Sequence, residues 1–319
     1  VCHRRRLRTL QVRVPGHHRL DLAFGKVHQR PLQDAQLHDP RVDLLARPQP
    51  KVRRDLIDRC PNLKLIARGG VGMDNIDVAY ARSKGIKVVN TPKASSQSVA
   101  ELVIGHLFAL SRFLHRANRD MPEEGATAFK ALKKQYAKGV QLRGKTLGII
   151  GFGRIGQEVA RLGLGMGMRI LATDLEARTV ALELPSPHVD GDAFSVSLST
   201  VPMEQVLKES HYLTIHVPSS DRPILGEAEL AQLQPGAFLV NTSRGGSIDE
   251  DALLAALESG QVAAAALDVF VNEPTPRADL LQHPAISVSP HIGASTVEAQ
   301  RNIGLELADA FISHFGQPS

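Results

Sequence analysis

The sequence predicts an α/β protein of two domains, each built on a parallel sheet. Three observations lead there. The chain has 319 residues, enough for two separate cores. From Lys51 onward short apolar runs alternate with helical segments of about ten residues, the pattern of strands joined by crossover helices. One glycine-rich turn, GFGRIG at Gly151–Gly156, sits between an apolar run and a helix.

Taken in order, DLIDRC reads as a helix, LKLIAR as a strand, DVAYARSKG as a helix and KVVNTP as a strand. A long, nearly apolar helix is expected from Ser96 to about Arg119, buried along its middle as core. After a polar connection come the strand TLGII, a helix through Glu158, the strand RILATD, the helix MEQVLKES and the strand YLTIHV. The helix EAELAQL, the strand AFLVNTS, the helix EDALLAALESG, the strands AAAALDVF and ISVSP, and a helix from Thr296 to about His314 complete the pattern. The first 50 residues fit it poorly. Only LQVRV (Leu10–Val14) and VDLLA (Val42–Ala46) read as strands, and residues 1–40 are atypical for the fold.

Composition narrows the functional classes. Apolar residues make up 43% and charged residues 22%, as in ordinary globular proteins. The longest uncharged apolar run, LVIGHLFAL, falls well short of the roughly 20 residues needed to span a bilayer, so no membrane association is expected. Residues 1–50 hold ten Lys/Arg against four Asp and no Glu, so the formal total of +5 leaves the rest of the chain at −1. No basic face for nucleic acid is expected on a body so close to neutral. Cys2 and Cys60 make neither a disulfide framework nor a metal-ligand spacing, so a reducing, cytoplasmic compartment and no metal are expected.

GFGRIG follows a strand and opens a helix, the context of a Rossmann nucleotide-binding domain. Gly151 permits the tight turn, Gly153 lets backbone approach a pyrophosphate, and Gly156 lets helix and strand pack closely. Arg154 and Ile155 begin the helix whose free amides would face the phosphates. Asp174 ends the next strand, where a carboxylate can accept ribose hydroxyls and repel a 2′-phosphate, so NAD is expected over NADP. Ligands of such sheets lie beyond the carboxyl ends of the strands. Pro218, Ser243, Arg244, Asp268, Glu273, His291 and Gly293 all fall there. The other histidines considered, His106, His115 and His216, are assigned no chemistry.

The series GFGRIG, NTSRGG, ALDVFVNEP and SPHIGAST resembles the D-2-hydroxyacid dehydrogenase family over residues 51–319. Within it, RGGVGMDNID (Arg68–Asp77) and VVNTPKASSQSVAEL (Val88–Leu102) are most similar to its short-form phosphoglycerate dehydrogenase branch, without a C-terminal regulatory domain. The resemblance implies a flavodoxin-like substrate domain, residues 1–96 with 292–319, and an NAD-binding domain, residues 97–291. It implies Arg244 on the substrate carboxylate, His291 as general acid/base, and Glu273 holding the imidazole and favouring its protonated form. Asp268, Pro218, Ser243 and Gly293 would contact the coenzyme, and amides near Gly70 and Val71 the substrate carboxylate. The expected activity is oxidation of D-3-phosphoglycerate, the first step of serine biosynthesis, by a homodimer. General reduction of glyoxylate or hydroxypyruvate, and an NADH-sensing binding protein of the corepressor kind, are the alternatives. Phosphate recognition is the weakest expectation, because Arg47 is followed by proline.

Overall fold

The computed structural model describes residues 8–12, 20–24, 44–46, 51–184 and 194–316, the first three segments by their backbone alone. Cys2, Arg47 and most of the atypical N-terminal stretch lie outside the described residues. The chain divides into two units, the described residues up to Ser95 together with those from Val297, and Ser96–Thr296. Sequence reasoning places the second junction five residues earlier, at 291/292.

In the first unit β1 (Arg8–Val12) and β2 (Leu20–Phe24) pair antiparallel. A parallel sheet runs β3 (Leu44–Ala46), β4 (Leu65–Arg68), β5 (Lys87–Asn90). The strand at Leu20–Phe24 has no counterpart in the sequence reading. Helices α1 (Arg54–Asp58) and α2 (Val78–Ser83) cover one apolar cluster, around Leu56, Ile57, Ile66, Ala81 and Val88. Asp77 caps α2 by accepting the Tyr80 amide at 3.0 Å. Leu65 and Ala67, on the alternate positions of β4, pack instead with Ile303, Leu307 and Phe311 of the last helix.

The second unit starts with α3 (Ser96–Ser111). The single helix expected to Arg119 is broken: Phe113 adopts φ 57°, and a second helix, α4 (Leu114–Gln135), occupies the stretch read as a polar connection. The core reading of α3 agrees with its burial, since Ala100, Val103, Leu107 and Leu110 all join the cluster beneath the sheet. Then follow β6 (Thr146–Ile150), α5 (Arg154–Gly165), β7 (Arg169–Thr173), and a hairpin of β8 (Thr179–Leu184) and β9 (Phe194–Ser199) that sequence reasoning missed. The unit continues through α6 (Met203–Glu209), β10 (Tyr212–Ile215), α7 (Glu227–Leu230), β11 (Ala237–Asn241), α8 (Glu250–Glu258), β12 (Val262–Leu267), α9 (Ala278–Gln282) and β13 (Ile286–Val288). Helix α10 (Val297–Phe315) returns to the first unit.

Six strands form one parallel sheet in the order β13-β12-β11-β10-β6-β7. TLGII and YLTI are buried at every position, as strands covered on both faces must be. The chain goes from β6 to β7 on one side and later resumes with β10 on the other, so the strand order reverses between β6 and β10. Register then fixes the functional edge. Thr173, Ile150, Ile215, Asn241, Leu267 and Val288 are successive partners across all six strands. Whatever follows each of them in sequence emerges on one edge of the sheet.

Candidate active site

The glycine turn lies at the reversal point. Gly151 has φ 92°, and a Cβ there would stand 2.6 Å from the His216 carbonyl oxygen. No other residue closes this turn without strain. A Cβ on Gly153, the residue before α5, would meet nothing within 4 Å, so the helix N-terminus is left open for an anionic group. Arg154 is exposed and Ile155 half-buried beside it. A Cβ on Gly156 would stand 2.3 Å from the Gly151 carbonyl oxygen, so the helix can approach the strand only with glycine there. These features fit a dinucleotide.

Asp174 binds back onto the same turn. Its Oδ2 accepts the Phe152 amide at 2.9 Å and its Oδ1 the Leu175 amide at 2.8 Å, while Arg178 pairs with Oδ2. A carboxylate offers about four acceptor positions, so room remains for a ribose hydroxyl. Pro218 is exposed beyond β10. His216, which sequence reasoning passed over, bonds Thr214 Oγ1 through Nε2 at 3.0 Å, and its buried Nδ1 has no partner among the described residues. Burial pushes its pKa down from 6.5 to about 3.

That shift predicts acid sensitivity. The unfolded chain takes up a proton at His216 below about pH 6.5 and the folded chain does not until about pH 3, so stability is complete above 6.5 and falls as pH drops through that window. The slope is about 1.4 kcal/mol per pH unit for one such group. His106 and His115, also lowered mainly by burial, add in the same direction. Urea unfolding at pH 7, 6, 5 and 4 should show His216→Asn with a flatter pH dependence than wild type; parallel curves would contradict this account.

Arg244 follows β11 in a turn stitched by buried Asn241. The Asn241 Oδ1 accepts the Ser243 amide at 3.0 Å and hydroxyl at 2.8 Å, and its Nδ2 donates to the Arg244 carbonyl at 2.8 Å. The Ser243 hydroxyl thus donates within the turn. The half-buried Arg244 donates through NH1 to the Ser243 carbonyl at 2.6 Å, which orients its guanidinium. A short 3₁₀ turn follows at Gly245–Ser247. A Cβ on Gly245 would lie 2.0 Å from the Phe270 carbonyl carbon, so the loop after β12 comes directly against this turn.

That loop carries Glu273. Its Oε1 accepts the Phe270 amide at 3.0 Å, and its Oε2 meets His291 Nδ1 at 2.7 Å. The His291 side chain is 54% exposed and sits in a left-handed backbone of φ 52°. Asp268 builds that turn: its carbonyl accepts the His291 amide at 2.8 Å, and its carboxylate accepts the amides of Ile292 and Gly293, each at 2.9 Å. Asp268 is 1% exposed and also takes the Ser289 hydroxyl at 2.6 Å. Its carboxylate and the Gly293 amide thus take part in the hydrogen bonding that builds the histidine's turn. In the first unit Gly70, with φ 125°, donates its amide to Thr91 Oγ1 at 2.7 Å. Val71 is exposed, and its carbonyl accepts Asn90 Nδ2 at 2.6 Å.

Sequence reasoning missed Asn241, Thr91 and His106. Each is a side chain that shapes a turn or holds one from beneath, and only the direction of its hydrogen bonds reveals it.

A six-stranded parallel sheet with a glycine turn at its reversal point, and a histidine–carboxylate pair beside an arginine on the same edge, define a nucleotide-dependent oxidoreductase. The family model for the NAD binding domain of D-isomer specific 2-hydroxyacid dehydrogenases matches residues 104–293, more than half of the chain. The chain belongs to that family, and NAD is its coenzyme. It is 45% identical to a hydroxypyruvate reductase of Thermotoga maritima over 87% of this chain and 86% of the relative. It is 39% identical to the D-3-phosphoglycerate dehydrogenase of Rattus norvegicus over 84% of this chain, spanning 48% of that longer protein. Among solved structures, a glyoxylate reductase from Paecilomyes thermophila superposes with a TM-score of 0.72 at 33% identity, covering 88% of this chain and 82% of the other.

Proposed function

We propose that this 2-hydroxyacid dehydrogenase interconverts a short D-2-hydroxyacid and its 2-ketoacid, with hydroxypyruvate and D-glycerate as the leading pair. The observation that carries the chemistry is the 2.7 Å contact between His291 Nδ1 and Glu273 Oε2. Bound NAD supplies or accepts the hydride. With Nδ1 donating to Glu273, the opposite ring nitrogen of His291 gives a proton to the C2 oxygen in reduction and takes it back in oxidation. Arg244, oriented by the Ser243 carbonyl, offers its planar fork to the substrate carboxylate. Asp174 supports NAD over NADP by placing a carboxylate at the end of β7, although Arg178 pairs with it.

The choice of hydroxypyruvate rests on the reductase relative, which the chain matches over most of its length. D-3-phosphoglycerate, the first expectation from sequence, is the second reading, supported by the phosphoglycerate dehydrogenases of Rattus norvegicus and similar proteins. A homodimer and a cytoplasmic setting complete the proposal. Four large apolar side chains on α3 and α4, Phe108, Leu114, Met121 and Phe129, are each more than 40% exposed and would be covered by a second copy. Cys60, buried and in no disulfide, fits a reducing compartment.

The test follows NADH oxidation with hydroxypyruvate, glyoxylate and 3-phosphohydroxypyruvate in parallel. The highest kcat/KM is expected for hydroxypyruvate. Arg244→Ala should lower it by about 100-fold or more, the scale of losing a charge-assisted bidentate contact. A preference for the phosphorylated acid would move the assignment to the second reading. No turnover despite tight NADH binding would favour a binding role.

A further inference from the structure

His106 lies 6% exposed in the apolar middle of α3, outside the chemistry described above. Its Nε2 is 3.1 Å from Ser289 Oγ, and its Nδ1 is 3.4 Å from Ser287 Oγ. Ser289 Oγ in turn lies 2.6 Å from Asp268 Oδ1. We propose that His106 is a positioning residue for His291: through Ser289 it fixes the Asp268 carboxylate, and through that carboxylate the left-handed turn that presents the imidazole. The inference rests on the reading of His291 as the acid/base.

The direction of each bond follows from the carboxylate. Both Asp268 oxygens accept backbone amides and Oδ1 also accepts the Ser289 hydroxyl, so the Ser289 hydrogen points to Asp268 and the Ser289 lone pairs face His106. His106 must then carry its hydrogen on Nε2. A neutral ring leaves Nδ1 as an acceptor, which the Ser287 hydroxyl can fill. The chain runs from Ser287 to His106 to Ser289 to Asp268, each donor polarised by the next acceptor. Burial, the largest influence on His106, favours this neutral form; Asp268 acts against it and His115 with it.

The consequence falls on His291. A non-glycine residue at φ 52° is strained and persists only where its surroundings over-determine it. Asp268 supplies that restraint with three contacts to residues 291–293. Loss of the donor from His106 frees Ser289 to rotate and loosens the carboxylate. The imidazole then spends less time aligned with Glu273 and substrate.

The experiment compares His106→Leu, which keeps much of the volume but lacks the donor, with His106→Gln, whose amide can restore it. His106→Leu should lower kcat about tenfold, since small misplacements distant from the chemistry can cost up to 100-fold. KM values for NADH and ketoacid should stay within about twofold. His106→Gln should recover most of the loss. Ser289→Ala, a small change that interrupts the same chain, should show the same kcat loss, and the double variant with His106→Leu should be no worse than either. Wild-type kcat in His106→Leu, equal losses in the Leu and Gln variants, or additive losses in the double variant would each overturn the proposal. His291→Gln is run in parallel. Near wild-type turnover there would mean that the acid/base reading itself has failed, whereas a dead His291→Gln with an unaffected His106→Leu removes only the positioning role.

Discussion

His291→Gln should lower kcat by about 1,000-fold, within the range that general acid–base catalysis contributes and equivalent to roughly 4 kcal/mol of transition-state stabilisation. The size of the effect follows from geometry. One ring nitrogen is taken by Glu273 at 2.7 Å, and Glu273 is itself held by the Phe270 amide at 3.0 Å, so the ring is fixed from behind. The side chain is half exposed, with its other nitrogen left for substrate. Glutamine can hydrogen-bond but cannot carry the proton. Affinity for NADH, followed by fluorescence, should change by less than about threefold, because the histidine acts on the substrate oxygen rather than on the coenzyme. Glu273→Gln should cost less, since it still accepts a hydrogen bond from Nδ1. A His291→Gln enzyme with kcat within tenfold of wild type would remove the histidine from the mechanism.

The placement of the candidate residues on one sheet edge was legible in the sequence because the fold makes it so. In a parallel sheet with its strand ends in register, the residue after each apolar run is placed by that run. Gly151, Asp174, Arg244, Asp268 and His291 could therefore be gathered on one edge from the strands alone. What sequence does not carry is which donors are already spent. Ser243 bonds Asn241 within its own turn, the Gly293 amide bonds the Asp268 carboxylate and the Gly70 amide bonds Thr91 Oγ1. His106 was hidden for a related reason. A single histidine in AELVIGHLFAL has the pattern of a core residue, and its partners lie about 180 positions away. Two elements were misread locally. The charged stretch around RDMPEEG contains Pro122 and Gly125 and reads as a connection, but α4 runs through it with a departure from helical geometry at Ala128. The alternation in TVALEL and FSVSLS was a usable strand signal that went unused.

Gly245→Ala should be the most damaging glycine-to-alanine change among the described residues. The Gly-Gly pair after Arg244 consists of two different residues. Gly246 has open space around it, with nothing within 4 Å of a Cβ, and its replacement by alanine should be close to neutral. At Gly245 the same methyl would lie 2.0 Å from the carbonyl carbon and 2.1 Å from the carbonyl oxygen of Phe270. Neither atom belongs to a flexible side chain that could swing away. Relief requires the turn after β11 and the loop after β12 to separate, against an Asn241 network on one side and the Glu273–Phe270 bond on the other. Overpacking against backbone should destabilise the unit by about 3 kcal/mol or more, lowering the urea midpoint. The functional loss should exceed what stability explains. Separating the loops moves Arg244 away from Glu273, and with Glu273 goes the orientation of His291, so kcat/KM should fall at least 100-fold even at temperatures where the variant is folded. Gly246→Ala, measured beside it, tests whether position rather than residue type carries the effect. Equal behaviour of the two variants would show that the close approach of Phe270 is not what couples the arginine to the histidine pair.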